Sequence, residues 1–169
     1  MKKVVFLVLI SFVFSSVSTA SAQLEKYQVT FLYNFTRLIQ WPDLYKEPAF
    51  IIGVVGKNSQ LVKELNANMG GRTAGGRPIN IVEFNSAEEV TYCHMLFIPN
   101  SSLKKFDIIK SKLSGKSVLF VTESEKGSPA GSIIDLFVKN RILVFTLHED
   151  LAKAKKLLVS NQLKNFSQN

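Results

Sequence analysis

Two histidines, one cysteine and thirteen carboxylates are the groups in this 169-residue chain best suited to making or breaking a bond. His94 lies inside the apolar run CHMLFI, and His148 stands where a strand-like run meets a helical one. Neither has a second His, Cys or acid at metal-ligand spacing. Gly127-Ser128-Pro129-Ala130-Gly131 has proline where a nucleophile elbow, G-x-S-x-G, needs serine. Glu83, Glu123, Asp135, Glu149 and Asp150 are scattered over strand ends and helix starts, with nothing to pair them as acid and base. Gly56-Lys57 falls short of a phosphate loop, because Ile51 and Asn58 stand where Gly and Ser or Thr are required. The expectation is a protein that is not an enzyme and has neither cofactor nor metal.

One stretch could bind rather than react. Residues 70–76, GGRTAGG, form a glycine-rich loop that could offer backbone N–H groups to an anion, with Arg72 and Arg77 beside it. The plainer reading is a flexible connection between elements. Cys93 is the only cysteine, so no intramolecular disulfide can form, and a small buried hydrophobe is its expected role.

The elements that would position these groups follow from the order of the chain. Lys2 and Lys3, an apolar run over residues 4–14 and the exit Ala20-Ser21-Ala22 read as a secretory signal peptide cleaved after Ala22. Residues 1–22 are therefore set apart from a single domain over 23–169. Two lysines and no acid leave with the signal, so the formal charge falls from +8 to +6. The lysines are spread along helical stretches, which reads as solvated faces, and an exported protein is not expected to bind nucleic acid.

In the mature chain, Leu24, Tyr27, Phe31, Phe35 and Leu38 recur every three or four residues, one apolar side of a helix. Trp41-Pro42 should stop it near Gln40 or Trp41. Residues 50–55, FIIGVV, read as a strand covered on both faces, followed by a helix capped at Asn58 or Ser59. Strands are expected at 78–84, 93–98 and 118–121, with a brief helical turn at 86–90 and a helix from about 100 to 113 facing Leu103, Phe106, Ile109 and Leu113 inward. Residues 132–138 and 141–147 should pair as a hairpin through Lys139-Asn140. A last helix from Glu149 would present Leu151, Ala154, Leu158 and Leu163. The fold class is α/β: a mixed, mainly parallel sheet with flanking helices and a C-terminal hairpin followed by a helix.

Four blocks together resemble the YfiR family of secreted bacterial proteins: FLYNFTRLIQWP at 31–42, GRPINIVEF at 76–84, CHMLFI at 93–98, and the stretch over 113–166. The resemblance implies a periplasmic α/β domain that regulates rather than catalyses. The family's namesake binds the periplasmic sensor domain of an inner-membrane diguanylate cyclase and holds it inactive, controlling cyclic-di-GMP and biofilm formation. An outer-membrane lipoprotein can sequester it, and members of the family form homodimers. The namesake carries further cysteines, so with Cys93 alone no redox behaviour transfers to this chain.

On this reading the docking residues are expected at edges and loops: Trp41 and Pro42 after the first helix, Arg77 at a strand entry, and Asn140, Arg141 and His148 around the last hairpin. The competing reading is a periplasmic sensor domain for a small anion, held by Arg72 and Arg77, or an accessory protein of another membrane signalling system.

Overall fold

A computed structural model describes residues 17–57 and 59–168. The expected signal segment lies outside these residues up to position 16. The expected cut after Ala22 falls within the first described helix, α1 (Val17–Leu38).

Among the described residues the chain builds a seven-stranded sheet and a small two-stranded ribbon. The sheet strands, in chain order, are β2 (Phe50–Val55), β3 (Thr73–Ala74), β4 (Arg77–Phe84), β5 (Met95–Ile98), β6 (Leu119–Glu123), β7 (Ile134–Lys139) and β8 (Ile142–Leu147). The spatial order is β3-β4-β2-β5-β6-β7-β8. The five inner strands are parallel, while β3 and β8 run antiparallel at the two edges. This is the mixed, mainly parallel α/β sheet that the alternating pattern implied.

Unbroken apolar runs mark strands that are buried on both faces, and the packing shows it. Phe50, Ile52 and Val54 of β2, Met95 and Phe97 of β5, and Leu119 and Val121 of β6 enter one core with α1 and α2 (Gln60–Met69). Val55, Leu96, Ile98 and Phe120 enter the opposite core with α3 (Phe106–Lys112) and the short turn Ala87–Glu89. Phe106, Ile109 and Leu113 point inward as their spacing implied.

Several local expectations need correction. α1 stops at Leu38, ahead of Gln40, because Ile39–Gln40 turns extended as β1 and pairs antiparallel with β9 (Leu158–Val159). The glycine-rich loop is partly structured: Thr73–Ala74 pairs back on Arg77 and Pro78 through Gly75 and Gly76. Both glycines have positive φ (55° and 77°), as a two-residue hairpin turn requires. The last hairpin turns through Asn140-Arg141 (φ 51° and 65°), so β7 extends through Lys139.

The expected C-terminal helix is two short ones, α4 (Glu149–Ala154) and α5 (Asn161–Phe166), with β9 between them. Lys156 at φ 59° breaks the helical path, and Leu158, counted on the apolar side, is 67 % exposed. A helix does follow the hairpin, in two pieces.

Candidate docking surface

The helical periodicity of α1 conceals two adjacent apolar stripes. The stripe that faces the sheet is Val29, Leu32 and Phe35, continued by Ile39 of β1, all buried, with Gln28 and Thr36 beside them. Of the stripe read from sequence, Leu24-Tyr27-Phe31-Phe35-Leu38, Phe35 is buried as implied, while Leu24, Tyr27, Phe31 and Leu38 are rotated away from the sheet and only partly covered; Tyr27 is 50 % exposed. A helix apolar over so wide an arc must bury one side and leave the rest for something else.

That second stripe walls a groove of about 670 Å³. Tyr27, Phe31 and Leu38 form one side, and Ile142 to Phe145 of β8 with Leu163 and Phe166 of α5 form the other. The floor is an aromatic cluster in which Phe31 and Phe35 meet Phe145 edge-on, at centroid distances of 5.6 and 5.5 Å. Ile142 and Phe166 stand at the mouth, 65 % and 62 % exposed. Arg37 is the one charged residue among those lining the groove. Lys139 and Arg141 flank the tip of the β7–β8 hairpin, next in sequence to the Ile142 wall. Sequence reasoning placed Tyr27, Phe31 and Leu38 in the core. The available signal was the overlap of two helical stripes in one segment.

The expected docking residues do not converge on one surface. Trp41 is buried, 7 % exposed, and donates its indole N–H to the carbonyl of His94 at 2.8 Å. It anchors the crossing after β1 instead of standing at a rim. Pro42 beside it is half-buried. Arg77 opens β4, while Asn140 and Arg141 tip the β7–β8 hairpin, five strand positions away across the sheet, roughly 24 Å. His148 is exposed at the other end of β8, its Nε2 3.1 Å from the Ser128 hydroxyl. Of these residues, Asn140 and Arg141 adjoin the groove wall.

Nor does the anion loop gather free cations. The Arg72 guanidinium lies over the Tyr33 ring, 4.7 Å from its centroid, and Arg77 is engaged in contacts of its own.

A second cavity, about 650 Å³, lies over the C-terminal end of β6 and is lined by Glu123, Ser124, Asp135, Thr146 and His148 among others. Asp135 is 1 % exposed, and its carboxylate accepts hydroxyl hydrogen bonds from Thr122 and Ser124, both at 2.5 Å. Ser132 packs into the same cluster, 2.8 Å from Thr122. Glu123 accepts from the Gln28 amide at 2.7 Å, which ties α1 across the sheet. Burial pushes the Glu123 carboxyl above its ordinary range, with the Glu125 and Asp135 charges adding to the rise; hydrogen bonds from Asn100 and Gln28 oppose it. The hydroxyls around Asp135 are donors already committed to it, so the cluster reads as a buried polar tie.

In open α/β sheets the ligand crevice opens where strand order reverses, here between the C-terminal ends of β2 and β5. Glu25 and Gln28 of α1 cover that place together with Gln60 and Pro99, leaving a cavity of about 220 Å³. The Ser59 N–H, at the start of α2, is taken by the Glu83 carboxylate at 2.6 Å.

His94 and Cys93 are both interior. His94 is 1 % exposed and stacks on Phe50 at 4.9 Å; its Nδ1 accepts from the Ile51 N–H at 3.0 Å, and its Nε2 meets no partner. Burial lowers its pKa below the ordinary histidine value and so favours the neutral ring; the Glu47 charge partly opposes this. Burial pushes the Cys93 thiol up to about 12, so it stays protonated and inert. Among the described residues no His, Cys, Asp and Glu group could hold a metal ion. None of the described helices is long and apolar enough to cross a membrane.

Comparison with protein families gives a match over residues 25–168 to the family described as YfiR/HmsC-like. No curated protein matches the chain.

Proposed function

The chain belongs to the YfiR/HmsC-like family, which spans nearly all of the described residues, and on that premise we propose that it is a periplasmic, non-enzymatic regulator of a membrane sensor protein. The sensor we assign is foremost a diguanylate cyclase, whose repression would lower cyclic-di-GMP and restrain biofilm formation. The domain over 23–169 is the regulator, and residues 1–22 are the export signal, cleaved after Ala22.

The observation that carries this reading is the groove between α1, β8 and α5, a wide apolar surface left open on an otherwise well-packed domain. Exposed apolar patches rimmed by polar groups mark sites of association. Repression by docking requires only that the partner's inactive conformation bind more tightly than its active one. A differential of about 5.5 kcal/mol moves a two-state partner from mostly active to mostly inactive. The Gln28–Glu123 tie and the α1 residues laid over the switch-point crevice accord with a domain that docks as a rigid body.

The experiment is a calorimetric titration of the purified protein into the periplasmic sensor domain of a membrane diguanylate cyclase from the same genome. It is paired with cyclic-di-GMP measured in cells lacking the protein. Saturable binding and a rise in cyclic-di-GMP on deletion are expected. Absence of binding, with cyclic-di-GMP unchanged on deletion, overturns the reading. An outer-membrane lipoprotein and a second copy of the chain are further partners for the same assay.

A further inference from the structure

β8 is an edge strand, so its outward backbone groups have no sheet neighbour to pair with; Leu143 and Phe145 on it are 6 % and 1 % exposed beneath the chain that covers them. Its pairing with β7 runs through a two-residue turn, Lys139 opposite Ile142 and Phe137 opposite Val144. Antiparallel pairs alternate between hydrogen-bonded and non-hydrogen-bonded, so Leu143 and Phe145 turn their backbone groups away from β7, toward the groove side. One of these is already in use. The Phe145 carbonyl accepts the N–H of Gln168 at 2.8 Å, after the chain leaves α5 extended at Ser167 (φ −72°, ψ 151°). The Lys139 ammonium reaches the Gln168 side-chain oxygen at 3.5 Å. The structure thus holds an extended backbone on this edge by one main-chain bond. Among the described residues nothing occupies the Leu143 N–H, the Leu143 carbonyl or the Phe145 N–H.

Resting on the docking reading above, we propose that the partner engages this protein through an extended segment that adds a strand to β8. Alternate apolar side chains of that segment fill the groove, and carboxylates face Arg37 and Arg141. The segment takes the place of residues 167–168, which act as a stand-in strand on the free edge. Main-chain bonds to Leu143 and Phe145 supply affinity, and the aromatic floor selects the side chains. Charge complementarity fixes the sign: Arg37 is the one charge lining the groove and Lys139 and Arg141 flank its tip, with no carboxylate among the lining residues. A second copy offers this edge no acidic complement, since β8 and its turn residue Arg141 (residues 141–147) carry no carboxylate, so the carboxylates come from another chain.

The test uses the purified protein and fluorescein-labelled peptides of about nine residues, a strand's length with margin. One alternates Val and Glu, one alternates Val and Lys, and one places Glu and Leu at helical spacing. The Val/Glu peptide should bind at least about ten-fold more tightly than either other, a difference of about 1.4 kcal/mol. Gln168→Pro removes the donor to Phe145 while keeping the tail and should tighten binding several-fold. Exchange of the Leu143 and Phe145 amides should slow in the bound state.

Preference for the helical or the Lys peptide overturns the inference, as does unchanged exchange at both amides on saturation. Slowed exchange that depends on protein concentration alone would point to self-pairing and also overturn it. If the cyclase sensor domain binds but leaves these two amides unprotected, strand addition fails while the docking reading stands. If the Val/Glu peptide binds with protection and no sensor domain does, the edge site stands and the assigned partner class falls.

Discussion

Trp41 donates its indole N–H to the carbonyl of His94 across 2.8 Å, in the same place where that carbonyl receives the backbone N–H of Leu119 at 2.9 Å. One carbonyl thereby joins the segment after α1 to the entries of β5 and β6. The Trp41 ring also meets Phe50 edge-on at 4.7 Å. Trp41→Phe keeps a ring there but loses the donor, and since Leu119 still serves the carbonyl the cost should be about 1 kcal/mol. Trp41→Ala opens a cavity and should cost about 3–5 kcal/mol. Urea denaturation of the two variants measures both, and equal costs would refute the assignment.

Gly53 sits in the middle of β2 where a methyl group has no room. A Cβ there would lie 2.7 Å from the Phe84 ring, 2.8 Å from Leu96 and 3.1 Å from the Cys93 sulfur. Gly53→Ala should therefore destabilise by about 1–3 kcal/mol, against the usual gain of β-sheet order on losing glycine. Thermal unfolding reads the sign directly.

Two buried groups give opposing pH dependences. The Glu123 carboxyl is raised by burial, so the stability it contributes is complete below the ordinary value of 4.5 and is lost as pH rises through the raised value. His94 is lowered by burial, so its contribution is complete above 6.5 and is lost as pH falls through the lowered value. Glu123→Gln should leave a melting temperature that drops on acidification below 6.5. His94→Gln, which can still accept from the Ile51 N–H, should leave one that drops as pH climbs above 4.5. Melting curves at closely spaced pH values check both signs.

Arg141 holds a left-handed backbone, φ 65°, that costs a non-glycine residue about 1–2 kcal/mol. Arg141→Gly gives the Asn-Gly pair such a turn prefers and should stabilise the fold by up to about 1 kcal/mol, net of the entropy of glycine. If the hairpin tip also faces an acidic partner, the same change should weaken docking. Stability and affinity would then move in opposite directions.

Ile142→Glu and Phe166→Glu alter side chains that are 65 % and 62 % exposed. Each should change stability by no more than about 0.5 kcal/mol. Each should reduce affinity for the sensor domain at least about ten-fold, as loss of an apolar anchor does. Unfolding and titration on the same preparations separate the two effects.

The sheet was legible because burial on both faces writes an unbroken apolar run, as in residues 50–55, and because local turn residues flank each run. What escaped depends on partners far along the chain. Ile39 and Gln40 look helical until Val159 and Leu158 are known to pair with them. Leu151, Ala154 and Leu158 keep helical spacing although Lys156 and β9 interrupt the helix. Gly75 and Gly76 carry the signature of a hairpin turn, but Thr73–Ala74 is too short for alternation to declare it a strand. The docking groove was hidden for a related reason: periodicity reports that a residue is apolar at helical spacing, and Phe31 and Phe35 both satisfy that, while only the position of β8 decides which of them seals the core.

The β1–β9 ribbon and the Phe35–Phe145 contact close the molecule like a clasp, start against finish. No partial product of synthesis can fasten it. Until residues 142–163 are present Phe35 lacks the Phe145 ring that closes over it, and so distant a contact is slow to form, although α1 already packs against α2.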